Sequence, residues 1–268
     1  MVDFVECVAA ESARFQRAVE TIAAESAEHS LASVAVPPCP DWTAADLVWH
    51  LAEVQYFWAC IVEGNLANPG AVEPLVRPAD DELLELMAAQ SSHLVNRLET
   101  RNPGEPCWSW HDEGHSVGWV RRRQAHEALI HRVDAELTLE QIKPGSLSAI
   151  DEDLAADGVD EMMTVMLDLG PIPDWGKFEA GGATARIEVP GRSWWGEFGR
   201  FLGTEPDGDH YDREVLRLIE PVAEPSATIS GGASEMDLWL WRRGDLGPAS
   251  FQGDSTIVDR LQALAAVE

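Results

Sequence analysis

The stretch RRRQAHEALIHRVDAE, residues 121–136, decides how the chain is read. It contains no helix breaker and lies within a helical run from about Val117 to Leu139. Glu127 and His131 are four residues apart, so they stand one above the other on one helix face. His126 and His131 are five apart, roughly 140° around the helix. That pair cannot grip one ion from one side, and the segment is not an H-E-x-x-H site. The usable pair is Glu-x-x-x-His. A carboxylate and an imidazole on one bundle helix, joined by a histidine from a facing helix, make a two-histidine, one-carboxylate metal site with open positions.

Working outward, the first half of the chain reads as further helices. Phe4, Val8, Ser12, Phe15, Val19 and Ile22 recur at three- and four-residue steps. VPPCPDW then interrupts with three prolines. The next helix starts at Thr43, a good N-cap, with Asp46 in the capping-box position and Trp42 and Leu47 placed as a hydrophobic staple. It carries Leu47, His50, Leu51, Val54, Phe57, Trp58 and Ile61 along one face. A third runs from about Ala79, with Leu83, Leu84, Met87, Leu94, Val95 and Leu98. These three and the 117–139 helix predict a four-helix bundle. His50, inside an apolar stripe, is the candidate third ligand beside Glu127 and His131. Taken singly, His50 also fits a hydrogen-bonded core histidine, and Glu127 with His131 a solvated surface pair. Asp134 is placed to accept the free ring N–H of His131, and Arg123 to pair with Glu127; both also fit ordinary helix-surface contacts.

A fifth helical segment, Ile150 to Leu167, follows a KPGS break, and near residue 175 the pattern changes. ATARIEVP, DREVLRLIE and EPSATISG read as strands. SEMDLWLWRRG reads as a helix with Ser234 as N-cap and Gly244 as stop, and a last helix starts at Asp254. The expected fold is therefore α plus α+β. The helix-bundle domain takes residues 1–170 and a smaller α+β domain takes 178–268, with the boundary at 170–180.

Composition narrows the function. The chain has 268 residues, with 47 Asp+Glu against 19 Lys+Arg, a net charge of −28. No Lys or Arg occurs between Ala18 and Val76. Such a field repels phosphate backbones and anionic headgroups, which argues against nucleic-acid and membrane-surface partners. No apolar run reaches the ~20 residues that span a bilayer. The N-terminus is acidic and helix-patterned, unlike a secretory signal. Cys7, Cys39, Cys60 and Cys107 are dispersed, as expected of free thiols in a reducing cytoplasm. Arg121, Arg122 and Arg123 are read as a helix face pairing with local acids, with anion gathering as the other reading. Cys39 is read as a structural thiol. His111 and His115 share a Gly-containing loop in which helical spacing has no meaning. Gly181–Gly182 and Gly231–Gly232 match no phosphate loop. Trp108, Trp110 and the Trp194–Trp195 pair fit either core or pocket walls.

Three segments together carry a resemblance: VPPCPDWTAADLVWHL (36–51), RQAHEALIHRVDA (123–135) and GGASEMDLWLWRR (231–243). In this order the chain resembles the mycothiol-dependent maleylpyruvate isomerase family. The resemblance implies a DinB-like metal-binding four-helix bundle and a C-terminal sterol-carrier-like α+β domain. It implies a divalent metal of zinc type on His50, Glu127 and His131, with mycothiol as thiol cosubstrate and a small electrophilic molecule as substrate. It implies an enzyme, an isomerase or S-transferase, working between the two domains. From the same family pattern, Arg243 is the anion-binding, catalytic candidate; its other reading is a helix C-terminal arginine facing the dipole. Two rival functions remain at this point: a non-catalytic small-molecule-binding protein on the same fold, and a metal-dependent hydrolase using the same ligands.

Overall fold

The computed structural model describes residues 2–26, 30–64, 66–112, 114–243 and 250–265. They form two compact units, residues 1–149 and 150–268. The first unit is built from α1 (Phe4–Glu25), a short ribbon of β1 (Ala35–Val36) and β2 (Cys39–Thr43), α2 (Ala44–Gly64), α3 (Leu83–Thr100) and α4 (Val117–Glu140). Each helix packs on two others: α1 on α3 and α4, and α2 on α3 and α4. Their ends fix the directions. Glu63, near the end of α2, meets His93 and Arg97 near the end of α3 at 3.2 and 2.9 Å, so α2 and α3 run parallel. Arg121, near the start of α4, donates to the carbonyls of Leu98 and Arg101, so α4 runs against them.

The expected helix faces become the core. Val8, Phe15, Val19 and Ile22 of α1, Leu47 and Leu51 of α2, and Leu83, Met87, Leu94 and Leu98 of α3 are all buried. The α2 start follows its capping chemistry: Thr43 N donates to Asp46 Oδ2 at 3.0 Å and Asp46 N to Thr43 Oγ1 at 3.2 Å. Helix α4 departs from a one-sided pattern. It is buried around most of its circumference although it carries Arg123, His126, His131, Arg132, Asp134 and Glu136. Internal pairing makes this tolerable. Arg132 meets Glu11 of α1 at 2.9 Å and Glu136 at 2.7 Å, all of them buried.

The second unit contains α5 (Glu152–Glu161), continued by a π-helical turn (Met162–Leu167), then β3 (Gly176–Val189), β4 (Arg192–Thr204), β5 (His210–Leu218), β6 (Ala227–Ser230), α6 (Ala233–Leu240), β7 (Ser250–Gly253) and α7 (Thr256–Leu264). The sheet order is β5-β4-β3-β6-β7, with β6 parallel to β3 and the other neighbours antiparallel. The expected boundary at 170–180 differs from this division. Helix α5 packs on α6, where a Cβ on Gly158 would lie 2.6 Å from the Asp237 carboxylate, and Trp194 of β4 donates to Asp160 at 2.9 Å. These contacts join α5 to the sheet unit.

The sequence pattern leaves β4, which carries Gly196, Gly199 and Gly203, unassigned. In the sheet they make room for neighbours: side chains there would collide with Leu216, Phe178 and Trp175. Gly181 and Gly182 sit at a bulge in β3, with Gly182 at φ 75°. Helix α6 is capped by Gly232 and not by Ser234, whose hydroxyl bonds Glu152 at 3.1 Å. It ends in a Schellman arrangement, with Arg243 N bonded to Leu238 O at 2.9 Å and Arg242 N to Trp239 O at 3.0 Å. Arg242 takes the left-handed position at φ 58°, where glycine is usual. The expected stop, Gly244, lies outside the described residues.

Candidate metal centre

His50 of α2 and Glu127 and His131 of α4 come together in the first unit. Glu127 Oε1 faces both imidazoles, 3.3 Å from His50 Nε2 and 3.2 Å from His131 Nε2. One ligand-type atom from each of the three lies within 4.8 Å of the other two. Bonds of 2.0–2.2 Å to a tetrahedral ion put neighbouring donors about 3.4 Å apart. Two imidazole nitrogens and a carboxylate oxygen at this spacing fit a borderline divalent ion.

The surroundings hold the three side chains in place. His131 Nδ1 bonds Asp134 Oδ2 at 3.0 Å, which turns Nε2 toward Glu127. Asp134 is fully buried, and Cys39 Sγ of β2 lies 4.0 Å from the same carboxylate oxygen. Arg123, one turn before Glu127, pairs with its Oε2. Burial alone would raise the Glu127 carboxyl; Arg123 and His131, with hydrogen bonds from His131 and His50, hold it well below the usual carboxylate range. Burial alone would lower His131; Glu127 and Asp134 push it up to about 9. The charges thus support one another, and Glu127 stays ionised and available as a ligand.

The remaining candidates are placed elsewhere. His126 is buried on α4 with its ring 6.1 Å from Phe4. The arginine run divides its tasks: Arg121 holds the carbonyls of Leu98 and Arg101 at the end of α3, and Arg123 holds Glu127. Trp108 and Trp110 join Phe57, Trp58 and Trp119 in an aromatic cluster with neighbouring centroids 5.2–5.9 Å apart. Trp195 lies under the Arg186 guanidinium at 5.1 Å. Arg243, in the second unit, donates from Nη1 to Trp241 O at 2.7 Å, a carbonyl at the C-terminal end of α6. None of the four cysteines is in a disulfide, and among the described residues no helix is long and apolar enough to cross a membrane.

Sequence reasoning placed Trp42 in the staple and missed its position at the metal site. Its ring packs 4.7 Å from His50 and 6.2 Å from His131. The available signal was its place directly before the Thr43 cap, which ties its backbone to the start of the His50 helix.

A helical bundle with two histidines and a carboxylate converging between α2 and α4, followed by a unit with a five-stranded sheet, defines the class. Residues 8–136 match the model of the mycothiol maleylpyruvate isomerase N-terminal domain. Two solved structures share the fold across 92% of this chain and 90% of theirs. One is a mycothiol-dependent maleylpyruvate isomerase, at TM-score 0.56 and 15% identity. The other is a histidine-to-alanine mutant of the mycothiol-dependent maleylpyruvate isomerase, at TM-score 0.57 and 13% identity. No curated protein matches the chain significantly.

Proposed function

We propose that the protein is an enzyme that uses a divalent metal, of zinc type, and a low-molecular-weight thiol, mycothiol, to isomerise a small electrophile or to transfer the thiol to it. The observation that carries this reading is the convergence of His50, Glu127 and His131 on one point of a bundle that matches this family's model. His50, Glu127 and His131 would hold the ion, Asp134 orients His131, and Arg123 keeps Glu127 charged. The ion would supply a thiolate at neutral pH from a thiol whose free pKa is about 8.5. Arg243 is proposed, on the family motif, to receive an anionic group of the substrate. The separation of the two solved relatives from this chain, at 13–15% identity, leaves the choice of electrophile to this protein's own residues.

The test is metal analysis of the purified protein and of His131→Ala, followed by incubation of the zinc-loaded protein with mycothiol and a panel of electrophiles. The wild type is expected to bind about one zinc per chain; His131→Ala is expected to lose it with its helical content kept. Thiol adducts or thiol-dependent isomerisation are expected only with the wild type. A wild type unable to take up zinc overturns the reading. Electrophile hydrolysis without thiol dependence would replace it with the hydrolase.

A further inference from the structure

The geometry points to Trp42 as a positioning residue that sets the plane of the His50 imidazole at the metal site; this rests on the metal reading above. Trp42 is outside the donor set. Its indole lies 4.7 Å from the His50 ring at 46° and 6.2 Å from the His131 ring at 30°. The two imidazoles meet each other edge to face at 4.7 Å and 75°. The His50 ring is therefore packed between the indole on one side and the His131 ring on the other, with the indole farther from His131.

The two histidines are held by different means. His131 is fixed through Nδ1 by buried Asp134. Among the described residues His50 has no such carboxylate; its polar contact is Nε2 with Glu127, at 3.3 Å. Its side chain is 32% exposed, and an imidazole swings broadly about its second side-chain torsion. Aromatic packing is what remains to hold the His50 plane, with Trp42 and His131 supplying it. Trp42 is suited to the task because the backbone directly after it is anchored. Thr43 is locked to Asp46 by the reciprocal cap and paired with Ala35 in the ribbon. Ala44 N bonds Val34 O at 2.7 Å. Through Cys39, the same strand also touches Asp134, which orients the other histidine. The β1–β2 ribbon thus contacts the support of both imidazoles.

The inference is tested on the full-length protein with zinc and cobalt(II) alone, using Trp42→Ala, Trp42→Phe and Leu86→Ala. Leu86→Ala truncates a half-buried side chain packed on the same core from α3, away from the imidazoles. Trp42→Ala is expected to weaken binding of both ions about 10–100-fold, as loss of a support to a metal ligand does, and to alter the visible cobalt(II) spectrum. Trp42→Phe is expected to restore most of the affinity and the spectrum, because a ring again backs His50. Leu86→Ala is expected to lower the melting temperature while leaving affinity and spectrum as in the wild type. Wild-type affinity and spectrum in Trp42→Ala overturn the inference, as does an equal loss in Leu86→Ala. If metal binding is unchanged in His131→Ala, the metal reading itself fails, whatever the Trp42 variants do.

Discussion

Asp134 shows how much one side chain decides here. It lies three residues after His131 and is fully buried, so its carboxylate is available to the imidazole and shielded from water. In water such a pair is worth little; inside the bundle it fixes which nitrogen of His131 faces Glu127. Asp134→Asn keeps an acceptor of the same size but removes the charge. It is expected to weaken zinc binding about 10–100-fold, measured by competition with a chelating dye, with the helical circular dichroism unchanged. Wild-type affinity in this variant would mean that Asp134 serves packing alone. The pairing was legible from the three-residue spacing. Its strength was not, because spacing carries no information about burial.

At the scale of elements, α4 is the instructive case. Read alone it is a polar helix, and polar helices belong at surfaces. The bundle buries it because its charges have partners on other elements: Glu11 on α1 for Arg132, and His50 on α2 for Glu127. Arg132 also donates to Ser148 O and Oγ at 3.0 Å each, and Glu136 accepts from Ser148 N and Oγ at 2.9 and 2.7 Å. One guanidinium therefore ties α1, α4 and the following segment. Arg132→Met leaves Glu136 buried without its cation and Glu11 with Arg14 alone, and is expected to cost about 3–5 kcal/mol, read from urea denaturation. A loss below about 1 kcal/mol would place the network among solvated surface pairs. Helices α1 to α3 were legible because their apolar residues keep the helical period and the α2 start carries its own cap. Strand β4 was not, because its glycines answer to Leu216, Phe178 and Trp175 on other segments.

Across the whole molecule, the fifth helix changes the division of the chain. Leu154, Val159, Met162 and Met163 belong to the sheet unit and are buried. Each such side chain contributes about 1.5–3 kcal/mol, a sum comparable with the roughly 5–15 kcal/mol that holds a domain together. A fragment of residues 150–268 is therefore expected to fold, with dispersed amide resonances, and a fragment of 178–268 to remain unfolded. A folded 178–268 fragment would return the boundary to 170–180. The net charge of −28 has a local counterpart at the metal centre: Glu127 and Asp134 belong to the excess of acids, yet each is matched to a particular cation or imidazole.

The sequence by itself determined the bundle helices, the α2 cap, the change to strands in the second half and the three candidate ligands. All of these follow from regular spacing along one segment or from chemistry between near neighbours. Only the tertiary structure decided that His50 meets Glu127 across 77 residues of chain, that Trp42 backs the His50 imidazole, and that α5 joins the sheet. The physical reason is that side-chain period records which face of an element is apolar, whereas the partner of that face is set by packing between segments.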